Sequence, residues 1–300
     1  MSRYPRKHLI ALVTALLLWG FSFPALKIAL RTNSALAILF YRYLFSLLLI
    51  LPWAVHSIRR HKIDFRGHSR FLWLGLFNFA GSWLQFQGLK YTTAIKSAIL
   101  TQLMVVVVPI LAFFILAEKL DRSKAFALFL SLVGAVLIST ELNWREAFTG
   151  GTVKGDLLTV AAILFWALFI VYTRRWANRA GVLPLLLGNY LGVQVLSTAA
   201  MTATGSFRID SPGIWLALIL AVISTILPTA LYNFSLREID ANASTIIGPL
   251  EVVSGALLSM ILLHERLSLI GLLGALLVLG SIYLVNRTPN RSGEIQKKHV

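Results

Sequence analysis

The chain contains no cysteine, so disulfides, thiolate metal sites and a cysteine nucleophile are excluded at the outset. It is also poor in charge. Asp, Glu, Lys and Arg make up 13% of its 300 residues, and only 12 residues are acidic. The longest hydrophilic stretches, around 56–70 and 141–156, are too short to fold as a soluble domain. Enzyme signatures are lacking too: there is no His-Glu-x-x-His, no Gly-x-Ser-x-Gly and no Gly-rich phosphate loop. Without such a loop, nothing here is driven by the chain's own ATP hydrolysis. The six histidines, at 8, 56, 61, 68, 264 and 299, fall mostly in connections and tails, and neither a metal nor a cofactor is expected.

What is abundant is apolar surface. Residues of the AVILMFWYC set make up 57% of the chain, in runs long enough to cross a bilayer. A span needs ~20 largely apolar residues, because the hydrocarbon core is ~30 Å thick. Ten runs qualify: 9–30, 34–55, 71–89, 94–116, 123–140, 156–176, 182–204, 213–236, 241–263 and 267–286. They are too long for strands and lack period-2 alternation, which also excludes a transmembrane barrel. The expected fold class is therefore an all-α polytopic membrane protein with ten transmembrane helices.

A net charge of +16 suggests nucleic-acid binding until its distribution is considered. The basic residues cluster in short connections, as the positive-inside rule requires, so no nucleic-acid partner is expected. With the N-terminus inside, 19 Lys and Arg fall on the inner side and 8 on the outer, with Arg42 left inside a span. Both termini are expected in the cytoplasm, in a bacterial-type inner membrane. The basic tail Ser2–His8 runs into the first apolar stretch without a small-residue cleavage site, so a retained first span is expected.

The chain also repeats itself. A shift of 147 residues brings Trp19 onto Trp166, Lys27 onto Arg174, Tyr43 onto Tyr190, Ala94 and Ser97 onto Ala241 and Ser244, and Glu118-Lys119-Leu120 onto Glu265-Arg266-Leu267. Each repeat holds five spans. An odd number forces the second copy to enter the membrane from the opposite side, giving two inverted five-helix repeats with a substrate path between them near the midplane. The expected units are 1–147, an inverted 148–290, and a basic cytoplasmic tail at 291–300.

Several of these landmarks fall in short motifs. Trp19-Gly20 followed by Lys27, Tyr41-Arg42-Tyr43, the stretch Leu89–Ala98, Val108-Pro109, Ala117-Glu118-Lys119-Leu120, and Asp240–Ser244 with Glu251 and Glu265 together resemble the EamA-like branch of the drug/metabolite transporter superfamily. The likeness runs over nearly the whole chain. There are departures: Ala117-Glu118 and His264-Glu265 stand where the family usually reads Gly-Glu, and Val252 stands where a proline is common. The resemblance implies a ten-helix fold that moves small metabolites, often outward, and leaves the substrate open.

Glu251 lies near the middle of the ninth run, on a face shared with Ser244, Gly248, Gly255 and Ser259. A charge at that depth costs about 2.5–3.5 kcal/mol on insertion scales, so it needs a partner, a water-filled cavity or a proton. It reads as a cavity carboxylate that binds substrate or takes a proton, or as a structural group capping a broken helix or pairing with Arg42. Lys27, Arg42 and Lys96 fall in the outer halves of their spans. They could present positive potential to an anionic group; snorkelling explains Lys27 and Lys96 equally simply, and a structural role suits Arg42.

Asn78 and Gln85 share a face of the third run, Gln102 lies in the fourth, and Tyr232 and Asn233 lie in the eighth. These side chains serve either as interhelical glue or as cavity lining. Trp19 and Trp166 are candidate aromatic walls for an organic solute. Pro24, Pro109, Pro228 and Pro249 each remove a backbone hydrogen bond from a span and are candidate hinges. Glu118 and Glu265 read as structural groups at helix ends.

The candidate substrate-binding set is thus Trp19, Asn78, Gln85, Lys96, Gln102, Trp166, Tyr232 and Asn233, with Glu251 as the coupling or cavity carboxylate. The function that follows is secondary, alternating-access transport of a small organic solute bearing a carboxylate, amino-acid-like and moved outward. The alternatives are a multidrug exporter, a membrane-embedded enzyme or a lipid scramblase. The expected partners are the solute and the bilayer, and the oligomeric state stays open.

Overall fold

The apolar runs fold as helices, and no strand occurs among the described residues. This computed structural model describes residues 5–61, 70–116, 122–143, 152–180, 182–205, 207–235, 238–239, 247–248 and 250–287. The helices are α1 (Arg6–Ala29), α2 (Ala35–His61), α3 (Arg70–Tyr91), α4 (Ala94–Thr101), α5 (Met104–Leu116), α6 (Arg122–Thr140), α7 (Thr152–Ala180), α8 (Val182–Thr204), α9 (Ser211–Leu220), α10 (Leu227–Ser235), α11 (Leu250–Leu263) and α12 (Leu269–Arg287). A π-helical segment, Ala221–Ile226, joins α9 to α10. A helix satisfies its own N–H and C=O groups, which makes it the natural solution for such a sequence in lipid.

Among the described residues, five stretches are long and apolar enough to cross a membrane: Arg6–Ala29, Ala35–Ser57, Ala94–Ile115, Thr152–Thr173 and Ser211–Ser235. Shorter apolar helices occupy Phe129–Ile138, Leu250–Leu263 and Leu269–Ser281. The bundle wears its large apolar side chains outside. Ile10, Phe114, Phe129 and Leu269 are all more than half exposed, a surface that water would penalise and lipid does not.

Packing follows the repeat. A shift of 147 residues carries α1 onto α7, α2 onto α8, α3 onto α9–α10, α4–α5 onto α11 and α6 onto α12. The packed pairs obey the same exchange. α1 lies against α10 and α11, and α7 correspondingly against α3 and α4–α5. The pairs α2–α8 and α6–α12 map onto themselves.

Small residues let these helices approach closely. A Cβ built on Gly20 of α1 would lie 2.5 Å from the Glu251 carbonyl oxygen and 2.8 Å from the Gly255 nitrogen of α11. Gly75 of α3 and Gly192 of α8 meet in the same way, a Cβ on the first falling 2.4 Å from the Cα of the second.

The helix breaks are not where the prolines suggest. Pro24 and Pro109 lie inside the continuous helices α1 and α5. The fourth run breaks earlier, at Gln102–Leu103, where Gln102 N–H bonds Ile99 O and Leu103 N–H bonds Leu100 O in tight i→i−3 turns. The expectation of breaks at Pro24 and Pro109 is therefore corrected, since each proline removes one bond and the rest of the ladder continues through it. Pro228 does mark an irregularity: it is the second residue of α10, directly after the π segment. Pro249, Ser244 and Glu118 lie outside the described residues.

Candidate functional site

The cations expected to face a substrate are mostly engaged elsewhere. Lys27 reaches past the end of α3, where its ammonium donates to the Leu89 and Thr92 carbonyls. A cation at that place satisfies carbonyls that the helix end leaves open. Lys96, in the first turn of α4, forms an ion pair with Glu141, Nζ to Oε1 3.0 Å. Partial burial alone would raise the Glu141 pKa, but hydrogen bonds from Lys96 and Ser268 outweigh it and hold the carboxyl below its ordinary value.

Glu265 binds the start of the same helix with both oxygens, accepting from Ala94 N–H at 2.9 Å and Ile95 N–H at 3.0 Å. The expectation that Lys96 presents an unpaired charge to substrate is corrected, because its acid partner comes from the end of α6, a different helix. Lys27 and Lys96 are both absent from the cavity wall.

That cavity, of about 610 Å³, lies between the two repeats. Trp19, Arg42, Asn78, Gln85, Gln102, Trp166, Tyr232, Asn233 and Glu251 all line it. Its wall draws on α1, α2, α3, α4, α5, α7, α8, the π segment, α10 and α11, while α6 and α12 pack together to one side.

The lining obeys the repeat closely. Of 27 residues, 22 form eleven pairs at a separation of 147, among them Trp19/Trp166, Tyr43/Tyr190, Asn78/Thr225, Ser82/Thr229 and Gln85/Tyr232. Hydrogen bonds follow the same exchange. Arg42 Nε donates to Thr225 Oγ1 at 2.8 Å, and at the corresponding positions Asn78 Nδ2 donates to Asn189 Oδ1 at 3.0 Å. Tyr43 and Tyr190 meet each other edge to face, with centroids 5.5 Å apart.

The charges break the pattern. Arg42 pairs by position with Asn189, and Glu251 with Met104, so each repeat contributes one charged residue that the other does not match. Arg42 is held by neutral groups. Besides Thr225, its Nη2 donates to the Ser224 carbonyl at 3.3 Å, and its guanidinium lies 5.9 Å from the Phe86 ring centre. Ser224 lies within the π segment, just before Pro228, whose missing N–H removes one donor from this stretch. Arg42 thereby supports the π segment from the other repeat.

Glu251 occupies the first turn of α11, where the helix N-terminus favours a carboxylate. Among the described residues its carboxylate makes no hydrogen bond or ion pair, and the pairing with Arg42 considered from sequence does not form. Residues that the sequence reading left out, Asn189 and Phe86, also line the cavity. The signal for Asn189 was present: a shift of Tyr41-Arg42-Tyr43 by 147 lands on Gly188-Asn189-Tyr190.

A helical, multi-pass membrane protein with an organic-solute-sized cavity lined from both repeats is the class these features define. Residues 6–140 and 153–287 each match the model of the EamA-like transporter family, two segments offset by 147, and the chain belongs to that family. It is 26% identical over 278 residues to a transporter of Archaeoglobus fulgidus described only as uncharacterized, covering 92% of this chain and 85% of the other. It is 25% identical to the "Probable amino-acid metabolite efflux pump" of Salmonella typhimurium, covering 96% of this chain and 99% of that one. A solved crystal structure shares the fold, with a TM-score of 0.62 at 15% identity over 95% of this chain and 98% of the other.

Proposed function

We propose that the protein is a secondary transporter that exports a small, carboxylate-bearing, amino-acid-like solute through the inner membrane. Its ten helices cross as two inverted repeats, 1–147 and 148–290, with both termini in the cytoplasm. The solute binds between the repeats, and one set of helices rocks against the other to expose the cavity to each face in turn.

The observation that carries this reading is the cavity itself. It is large enough for a metabolite, is walled by Trp19, Trp166 and other aromatics, and draws residues at equivalent positions from both halves. With Lys96 paired to Glu141, Arg42 remains as the cationic group on the wall. The similarity to an amino-acid metabolite efflux pump adds support for the solute class.

Efflux and counterflow in reconstituted proteoliposomes test it. Labelled neutral amino acids, a dicarboxylate and a quaternary ammonium compound are offered in parallel. Protein-dependent flux of an amino acid or another carboxylate, with the quaternary ammonium left behind, is the expected result. Quaternary ammonium flux without any carboxylate flux would replace this reading with a multidrug exporter.

A further inference from the structure

We infer that the cavity takes a zwitterion in one orientation, its carboxylate on Arg42 and its ammonium on Glu251, with the apolar remainder against the tryptophan walls. The assignment rests on the transporter reading only for the solute's route to the site. Its grounds are the two positional pairs in which a charged residue stands opposite an uncharged one. The other nine positional pairs are uncharged on both sides and give a ligand no charge by which to tell its two ends apart. Arg42 facing Asn189 in the pairing, and Glu251 facing Met104, give it a positive and a negative pole.

Neither pole is neutralised within the described protein. Arg42 spends two of its contacts on Thr225 Oγ1 and the Ser224 carbonyl, both neutral, and a guanidinium has five N–H donors, so others stay free for a carboxylate. Glu251 has no partner among the described residues, yet lies in a wall that is largely apolar. Two opposite charges held in one cavity without pairing each other are each left with a desolvation cost that a ligand carrying both complementary charges relieves. An anion alone answers Arg42 and leaves Glu251 bare; a cation alone does the reverse.

The test is binding, measured calorimetrically on the full chain in detergent. The probes are leucine, 4-methylpentanoate (leucine without its amine) and leucinamide (leucine without its carboxylate charge). Wild-type protein should bind leucine at least tenfold more tightly than either analogue. Glu251→Gln should remove the preference for leucine over 4-methylpentanoate and leave 4-methylpentanoate binding within threefold of wild type. Glu251→Met, which installs the residue found at the paired position, should do the same.

Arg42→Gln should remove the preference for leucine over leucinamide. Should that variant not fold, Arg42→Lys, which keeps a point charge but loses the planar fork, should shrink that preference at least threefold. Equal wild-type affinity for the three probes, absence of binding by all of them, or a Glu251→Gln protein that still prefers leucine would overturn the assignment. Because binding is read without flux, the predicted ranking in a protein that moves nothing would sink the transporter reading and leave this assignment standing. Flux of amino acids by a protein with no such ranking would do the opposite.

Discussion

Gly20→Val is expected to lower the detergent melting temperature by about 5–10 °C and to abolish transport. The reason is backbone against backbone. Even the first side-chain atom at residue 20 would lie 1.9 Å from Ser254 Oγ, 2.5 Å from the Glu251 carbonyl and 2.8 Å from the Gly255 nitrogen. A serine hydroxyl can rotate away, but a helix backbone cannot, so α1 and α11 must separate. Overpacking of this kind costs about 1–3 kcal/mol, and a large domain loses about 2–4 °C for each kcal/mol.

The displaced element also carries Glu251, so function should fail before folding does. Ser254→Ala in the same chain should not rescue the variant, because the two backbone contacts remain. Gly280→Ala is the control: its nearest neighbour is Leu130 Cδ2 at 4.0 Å, an ordinary contact, and it should melt within about 1 °C of wild type. A Gly20→Val protein that melts and transports normally would show that the α1–α11 interface is looser than described.

Arg42→Gln is expected to reduce transport at least tenfold, with Arg42→Lys intermediate. The guanidinium bridges two repeats, joining α2 to the Ser224 carbonyl and the Thr225 hydroxyl of the π segment. Its loss takes this donor away from the Ser224 carbonyl and the Thr225 hydroxyl in the protein interior. An unsatisfied group of that kind costs about 1–3 kcal/mol. Lysine restores the charge but not the fork that reaches both groups while facing the cavity. Initial efflux rates in proteoliposomes at matched protein content decide the point. Full activity in the glutamine variant would remove Arg42 from both the hinge and the site.

Much of the frame was legible without coordinates. The apolar runs and the 147-residue register are written in single residues, and the two segments matched to the family carry the same offset. The wall residues Trp19, Asn78, Gln85, Tyr232 and Glu251 could be picked out because polar or aromatic groups in apolar helices turn toward protein or cavity.

What was not legible depends on contacts between distant segments. Lys96 read as an unpaired cation because its own span holds no acid; Glu141, 45 residues on, supplies one. Lys27 read as a cation seeking the interface, while its partners are main-chain oxygens, which sequence does not display. The π segment Ala221–Ile226 has no local signature beyond Pro228, since it is supported by an arginine 182 residues away. Proline also drew attention from the turn at Gln102–Leu103, where the Thr101 hydroxyl bonds the Ala98 carbonyl at 2.7 Å.

The absence of cysteine makes the central claim directly measurable. Ser82 and Thr229 are repeat partners on the cavity wall, and each can be replaced singly by cysteine in a chain with no other thiol. The cleanest measurement is modification of each variant by a membrane-impermeant thiol reagent, in right-side-out and in inside-out vesicles. One cavity that opens alternately to both faces predicts that Ser82→Cys and Thr229→Cys are each labelled from both sides, with loss of transport on labelling. Labelling of either residue from one side only, under conditions in which the protein is transporting, would contradict it.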